Sequence, residues 1–129
     1  MNASDRDALI RAALDALGRA YCPYSNFPVG AAIRTASGAI YQGCNVENAS
    51  FGLTNCAERV AAGAAVAAGE REFVSIAVAS RGGVTPCGAC RQFLAEFGPD
   101  MDVLLVDADD RQRVAATTLG ALLPEQFRL

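Results

Sequence analysis

The chain has 129 residues, 52% of them apolar and 19% charged, with 11 basic residues against 14 acidic ones and a formal charge of −3. That balance excludes disorder, and the longest apolar run is broken by glycine well before the ~20 residues that span a bilayer. A chain of this length buries roughly two thirds of its unfolded surface, so one domain over residues 1–129 is expected, and no disulfide or metal is required merely to hold it together. Every basic residue is arginine, and lysine and histidine are absent, so there is no mobile lysine face to track a phosphate backbone. A polymeric nucleic acid is therefore not an expected partner, nor is a membrane. Met1 to Asp7 carries acids where a signal peptide would carry bases, which points to a cytoplasmic protein. The Asn2-Ala3-Ser4 and Asn48-Ala49-Ser50 triplets then have no meaning as glycosylation acceptors.

From Ser4 to Ala20 the apolar residues Ala8, Leu9, Ala12, Ala13, Ala16, Leu17 and Ala20 recur at three- and four-residue steps, with Asp5 and Asp7 at the start. This spacing predicts an amphipathic helix whose first turn is acidic, as its dipole favours. Pro23 and Pro28 bracket a loop, and Val29–Thr35 and Ile40–Asn45 read as a strand pair joined through Ala36 to Ala39. Cys56–Ala68 reads as a helix of small and apolar residues, apolar on every side and so expected to be buried on every side. Phe73–Ala79 follows as a strand, Ser80–Pro86 as a loop, Cys87–Phe97 as a helix and Val103–Val106 as a strand. Asp107–Arg111 is a turn, Arg113–Thr117 a last strand and Leu119–Leu123 a short helix stopped by Pro124. Asp107-Ala108-Asp109-Asp110 lacks the glycine and distal glutamate of a calcium loop and reads as a solvated turn. The order αββαβαββα implies an α/β fold, one mixed sheet with helices on its faces.

Five cysteines, Cys22, Cys44, Cys56, Cys87 and Cys90, are an odd number for a reducing compartment, where such a set points to metal binding or catalysis. Pro86-Cys87-Gly88-Ala89-Cys90 places a C-x-x-C pair at one helix start, and Cys56-Ala57-Glu58 stands at another. Zinc takes thiolates readily, and a catalytic zinc keeps three protein ligands and leaves a fourth position for water. Cys56, Cys87 and Cys90 would supply those three, and helix N-termini lower a thiol's pKa toward the thiolate. Three thiolates leave the ion with a formal charge of −1, which Arg59 is placed to offset by donating hydrogen bonds to sulfur, with Arg91 a weaker candidate. Glu58 reaches the open position without binding the metal, which suits it to proton transfer in a hydrolytic deamination.

Together with Phe27-Pro28-Val29-Gly30-Ala31-Ala32, Gly43-Cys44-Asn45-Val46-Glu47-Asn48, Cys56-Ala57-Glu58-Arg59, Pro86-Cys87-Gly88-Ala89-Cys90-Arg91-Gln92 and Leu122-Leu123-Pro124, these residues resemble the small, homotetrameric, three-cysteine class of zinc-dependent cytidine deaminases. The resemblance runs over nearly the whole chain. It implies a three-layer fold with a five-stranded mixed sheet, one zinc per subunit, and hydrolysis of cytidine and 2'-deoxycytidine to uridine and 2'-deoxyuridine in pyrimidine salvage. A zinc-bound hydroxide would attack C4 while Glu58 shuttles protons to N3 and the leaving amine. Asn45 and Glu47 would hold the ribose, Phe27 would pack beside the nucleoside, and Glu58 with the Ala57 backbone would read the pyrimidine edge. Phe127 would close over the base from a neighbouring subunit. The family usually has tyrosine where this chain has Phe51, which removes a hydroxyl near the 5' end of the ribose.

Other readings of the same residues stand beside this one. A closed structural zinc site would need a fourth ligand from Cys22 or Cys44, and a redox C-x-x-C would leave Cys56 and Glu58 without a purpose. Cys22 and Cys44 read as small buried hydrophobes, and Asn45 and Glu47 taken alone read as a solvated strand edge or turn cap. Phe27, Phe51 and Phe127 would ordinarily be packing residues. A deaminase of modified aminopyrimidine nucleosides shares the chemistry, as does a nucleic-acid editing enzyme, against which the acidic balance and short chain argue.

Overall fold

In the computed structural model, which describes residues 1–129, the first helix α1 (Ala3–Leu17) begins where the Asn2 side chain accepts a hydrogen bond from the Asp5 amide at 2.8 Å. That contact satisfies one of the amides a helix start leaves free. Leu9, Ile10, Ala13 and Ala16 form its buried stripe, at the spacing the sequence shows. Strands β1 (Val29–Thr35) and β2 (Ile40–Cys44) pair antiparallel, with Gly30 opposite Cys44. Helix α2 (Ala57–Ala67), strand β3 (Phe73–Ser80), helix α3 (Gly88–Ala95), strands β4 (Asp102–Asp107) and β5 (Val114–Thr118) and the short helix α4 (Leu119–Leu122) complete the expected order. The sheet runs β2-β1-β3-β4-β5, parallel only between β3 and β4, where α3 makes the crossover.

Side chains alternate across each strand, and the core divides accordingly. Ala32, Ala77, Ala79, Leu104 and Val106 face α1, while Ala31, Ile33, Ile76, Val78, Val103 and Leu105 face α2, α3 and α4. The result is three layers, with α2 and α3 both on one face. Their N-termini meet at the end of the sheet where Val29 pairs with Ser80 and β2 ends at Cys44. Gly43 in β2 makes this approach possible: a Cβ there would lie 2.3 Å from the Ala61 nitrogen and 2.4 Å from the Ala57 carbonyl oxygen. The missing side chain lets the first turns of α2 rest on the strand.

One expectation needs correction, and one element is additional. Helix α2 is buried on one side only, at Ala57, Glu58, Ala61, Ala62 and Ala65, whereas Gly63, Ala64 and Ala67 face outward. The sheet covers a single side of the helix, and alanine is too small to reveal in sequence which side that is. A 3-10 turn at Phe51–Leu53 was not expected, since three residues carry no period. It follows an Asx-type contact in which Asn48 Oδ1 accepts the Ser50 amide at 2.8 Å. No helix is long and apolar enough to cross a membrane.

Candidate active site

Cys56 is the N-cap of α2, Cys87 the N-cap of α3, and Cys90 lies in the first turn of α3. The two helix starts bring the three sulfurs within 4.8 Å of one another. Tetrahedral zinc with Zn–S bonds of about 2.3 Å holds sulfurs about 3.8 Å apart, so small side-chain shifts close this cluster on an ion. Zinc is the metal that this donor set fits. Neither Cys22 nor Cys44 joins the cluster. Both are half-buried rather than buried, and the Cys44 thiol instead points at the Arg19 carbonyl, 3.5 Å away. The closed four-cysteine site is thereby removed, and three protein donors leave one tetrahedral position open.

The electrostatics favour thiolate. The Cys56 thiol is drawn down to about 5, first by a hydrogen bond from the Cys90 thiol and then by Arg59, whose Nη2 lies 3.6 Å from the sulfur. The same contact with Cys56 pushes Cys90 up, because a thiol that donates to a thiolate keeps its proton. A divalent ion displaces the shared protons from such a cluster. Arg59 thus sits where the sequence placed it. Arg91 does not: its guanidinium turns away from the sulfurs and donates to the Pro86 carbonyl at 2.8 Å, the Leu122 carbonyl at 2.8 Å and Thr85 Oγ1 at 3.1 Å. On a helix, adjacent residues point about 100° apart, so adjacency to Cys90 does not direct Arg91 to the metal.

Glu58 is 5% exposed, and burial raises its carboxyl above the usual range, with the Cys56 thiolate adding to the rise. It shares the wall of a cavity of about 190 Å3 with Asn45, Cys56, Ala57 and Cys87. Val29, Thr54, Val78, Val84 and Thr85 line the same cavity and were not singled out in the sequence. Proximity to Pro86-Cys87 is the one signal that could have marked Val84 and Thr85. Asn45 Oδ1 accepts the Val29 amide at 2.9 Å, and its Nδ2 donates to the Phe27 carbonyl at 2.9 Å, leaving one N–H free. Glu47 accepts the Tyr24 amide at 3.0 Å, the Ser25 amide at 3.1 Å and the Ser25 hydroxyl. These donors, led by the Ser25 hydroxyl, hold its carboxyl below the usual range. Val46 bridges to both Tyr21 and Asn55, so backbone pairing on two sides fixes the segment that carries Asn45 and Glu47.

The aromatic candidates lie outside the cavity wall. Phe27 is half-buried beneath Arg81, whose guanidinium carbon is 5.8 Å from the ring centre. Phe51 is 74% exposed and meets Tyr24 edge-on at 5.9 Å. Phe127 is 68% exposed and lies beside Gln92 and Ala95 of α3 and Glu96 just after it.

Three thiols converging from two helix starts, with a buried carboxylate beside them, define a zinc-dependent hydrolase of the deaminase class. Residues 3–106 match the family described as the cytidine and deoxycytidylate deaminase zinc-binding region, and the chain belongs to that family. A cytidine deaminase of Halalkalibacterium halodurans is 47% identical over 127 residues, covering 95% of this chain and 94% of the relative. A probable cytidine deaminase of Dictyostelium discoideum is 49% identical, covering 98% of this chain and 86% of the relative. The crystal structure of cytidine deaminase from Burkholderia pseudomallei superposes with a TM-score of 0.89 at 49% identity, covering 98% of this chain and 100% of the other. The fold is therefore the three-layer cytidine-deaminase fold expected from the resemblance.

Proposed function

We propose that this chain, as one catalytic domain over residues 1–129, hydrolyses cytidine and 2'-deoxycytidine to the corresponding uracil nucleosides and ammonia. The observation that carries the reading is the buried Glu58 on the same cavity wall as Cys56 and Cys87. Cys56, Cys87 and Cys90 are assigned as the ligands of one zinc per subunit, at the wall of the cavity. Zinc bound there supplies an activated water at neutral pH. Glu58 would take a proton from the attacking water and deliver it to N3 as the bond to C4 forms. It then carries the water's second proton to the amino group as the C4–N bond breaks, so that ammonia leaves. Its burial supports this role, because a carboxylate raised toward neutrality takes up a proton from water more readily than an ordinary exposed one does. Arg59 offsets the negative charge of the three thiolates by donating to Cys56.

The free N–H of Asn45 and the remaining lone pair of the Glu47 carboxylate are assigned to the ribose hydroxyls, the Ala57 backbone to the pyrimidine edge, and Phe27 and Phe51 to the flanks of the nucleoside. Phe127 is assigned to the site of a neighbouring subunit in a homotetramer. Support for assembly comes from exposed Tyr21, Tyr24, Val46, Phe51 and Leu53 near the site and from the bare outer face of α2. Apolar patches of this kind are covered by partners more often than left in water. Pyrimidine salvage in the cytoplasm is the setting in which such an enzyme acts on free nucleosides. The test is Glu58→Gln measured beside zinc content: the variant is expected to keep its zinc and lose nearly all turnover. Ordinary activity in that variant would remove the mechanism. Turnover confined to modified aminopyrimidine nucleosides would replace the substrate.

A further inference from the structure

The three sulfurs are held by different means. Cys90 is fully buried and fixed by packing, and Cys56 is half-buried with Arg59 on its sulfur. Cys87 is exposed, and as the N-cap of α3 its side chain makes no capping hydrogen bond. Apart from its contacts with the two neighbouring thiols, its sulfur is only as well placed as the backbone leading into α3. That backbone is gripped from within the same helix. Arg91 closes the first turn through its amide, 3.0 Å from the Cys87 carbonyl, while its side chain reaches back past the N-cap to the Pro86 carbonyl and Thr85 Oγ1. Pro86 is fully buried, and its ring fixes φ, so the segment has little freedom once its carbonyl is held. The third arm, to the Leu122 carbonyl at the end of α4, braces the guanidinium against a separate element. It also satisfies a carbonyl that a helix end leaves without a partner.

We propose that Arg91 is a positioning residue for the metal site, holding Cys87 in place by clamping Thr85 and Pro86 to α4. Three donors in a planar fork are engaged at once, two of them with carbonyls on different elements, which lysine cannot reproduce. This rests on the assignment of Cys87 as a zinc ligand, so zinc content of the unaltered protein is measured first. The deciding readout is the rate at which the zinc-loaded protein gives up its metal to a chelator. Loss of an outer contact of this kind typically costs about 10- to 100-fold in metal affinity or activity. Arg91→Gln is expected to release zinc at least about tenfold faster, Arg91→Lys to fall between it and the unaltered protein, and Thr85→Val to quicken release by about two- to threefold. Leu104→Val, buried on the α1 face, lowers stability without touching this clamp and should leave the release rate unchanged. If Arg91→Gln does not fold, Arg91→Lys and Thr85→Val decide the matter. Release at the unaltered rate in the folded variants, or equal acceleration in Leu104→Val, would overturn the proposal. Absence of zinc from the unaltered protein would instead overturn the ligand assignment itself.

Discussion

Glu58 and Glu47 carry the same carboxylate at the same end of the sheet, and the protein treats them in opposite ways. Glu58 is set into the first turn of α2 at the wall of the cavity, and burial raises it. Glu47 lies on a half-exposed segment after β2, where Tyr24 and Ser25 supply three donors and lower it. A carboxyl whose charged form is disfavoured can pass a proton, whereas one tied down as an anion can only hold something in place. In the proposed function this difference separates a proton carrier from an anchor, and it comes from the surroundings rather than the residue type.

That contrast can be broken by treating the two residues alike. Glu58→Gln is expected to lower kcat by at least about 100-fold, the range of a lost general acid–base, while KM changes little. Steady-state kinetics on cytidine with zinc-loaded protein checks this. Glu47→Gln is expected to do the reverse, raising KM about tenfold, the factor that about 1.4 kcal/mol of lost binding gives, with kcat largely retained. Equal effects of both substitutions on kcat would abolish the distinction. Gly43→Ala acts on the platform under Glu58 rather than on its chemistry. Its Cβ would meet the Ala57 carbonyl and the Ala61 nitrogen, and overpacking of this kind costs about 1–3 kcal/mol. The urea midpoint should fall accordingly, and an unchanged midpoint would show that α2 is free to move off the strand.

The smallest expected effect is on pH. Because the folded Glu47 carboxyl binds its proton less readily than the unfolded one, its contribution is complete above the ordinary value of about 4.3. It is lost as pH falls through the lower folded value. Thermal unfolding followed from pH 7 to pH 3 should therefore show a shallower acid limb in Glu47→Gln than in the unaltered protein. Identical limbs would mean that Tyr24 and Ser25 do not favour the anion.

The thiol cluster and the carboxylate beside it were legible because their parts are local. Cys56 with Glu58, and Cys87 with Cys90, each fall within one helical turn, so spacing alone places them at two helix starts. What escaped was long-range or short of side chain. Nothing near Glu47 in sequence announces that Ser25 will bind it, and nothing about Arg91 announces the Leu122 carbonyl. The outward face of α2 is hidden because alanine serves a buried and an exposed position equally well. Thr54, Val84 and Thr85 reach the cavity only through the fold of loops that carry no period.

The most direct test follows cytidine absorbance and ammonia release by the purified protein, with zinc counted in the same sample. The account predicts about one zinc per chain, loss of the cytosine chromophore and one ammonia for each uridine formed. A protein holding one zinc per chain that leaves both cytidine and 2'-deoxycytidine unchanged would contradict it.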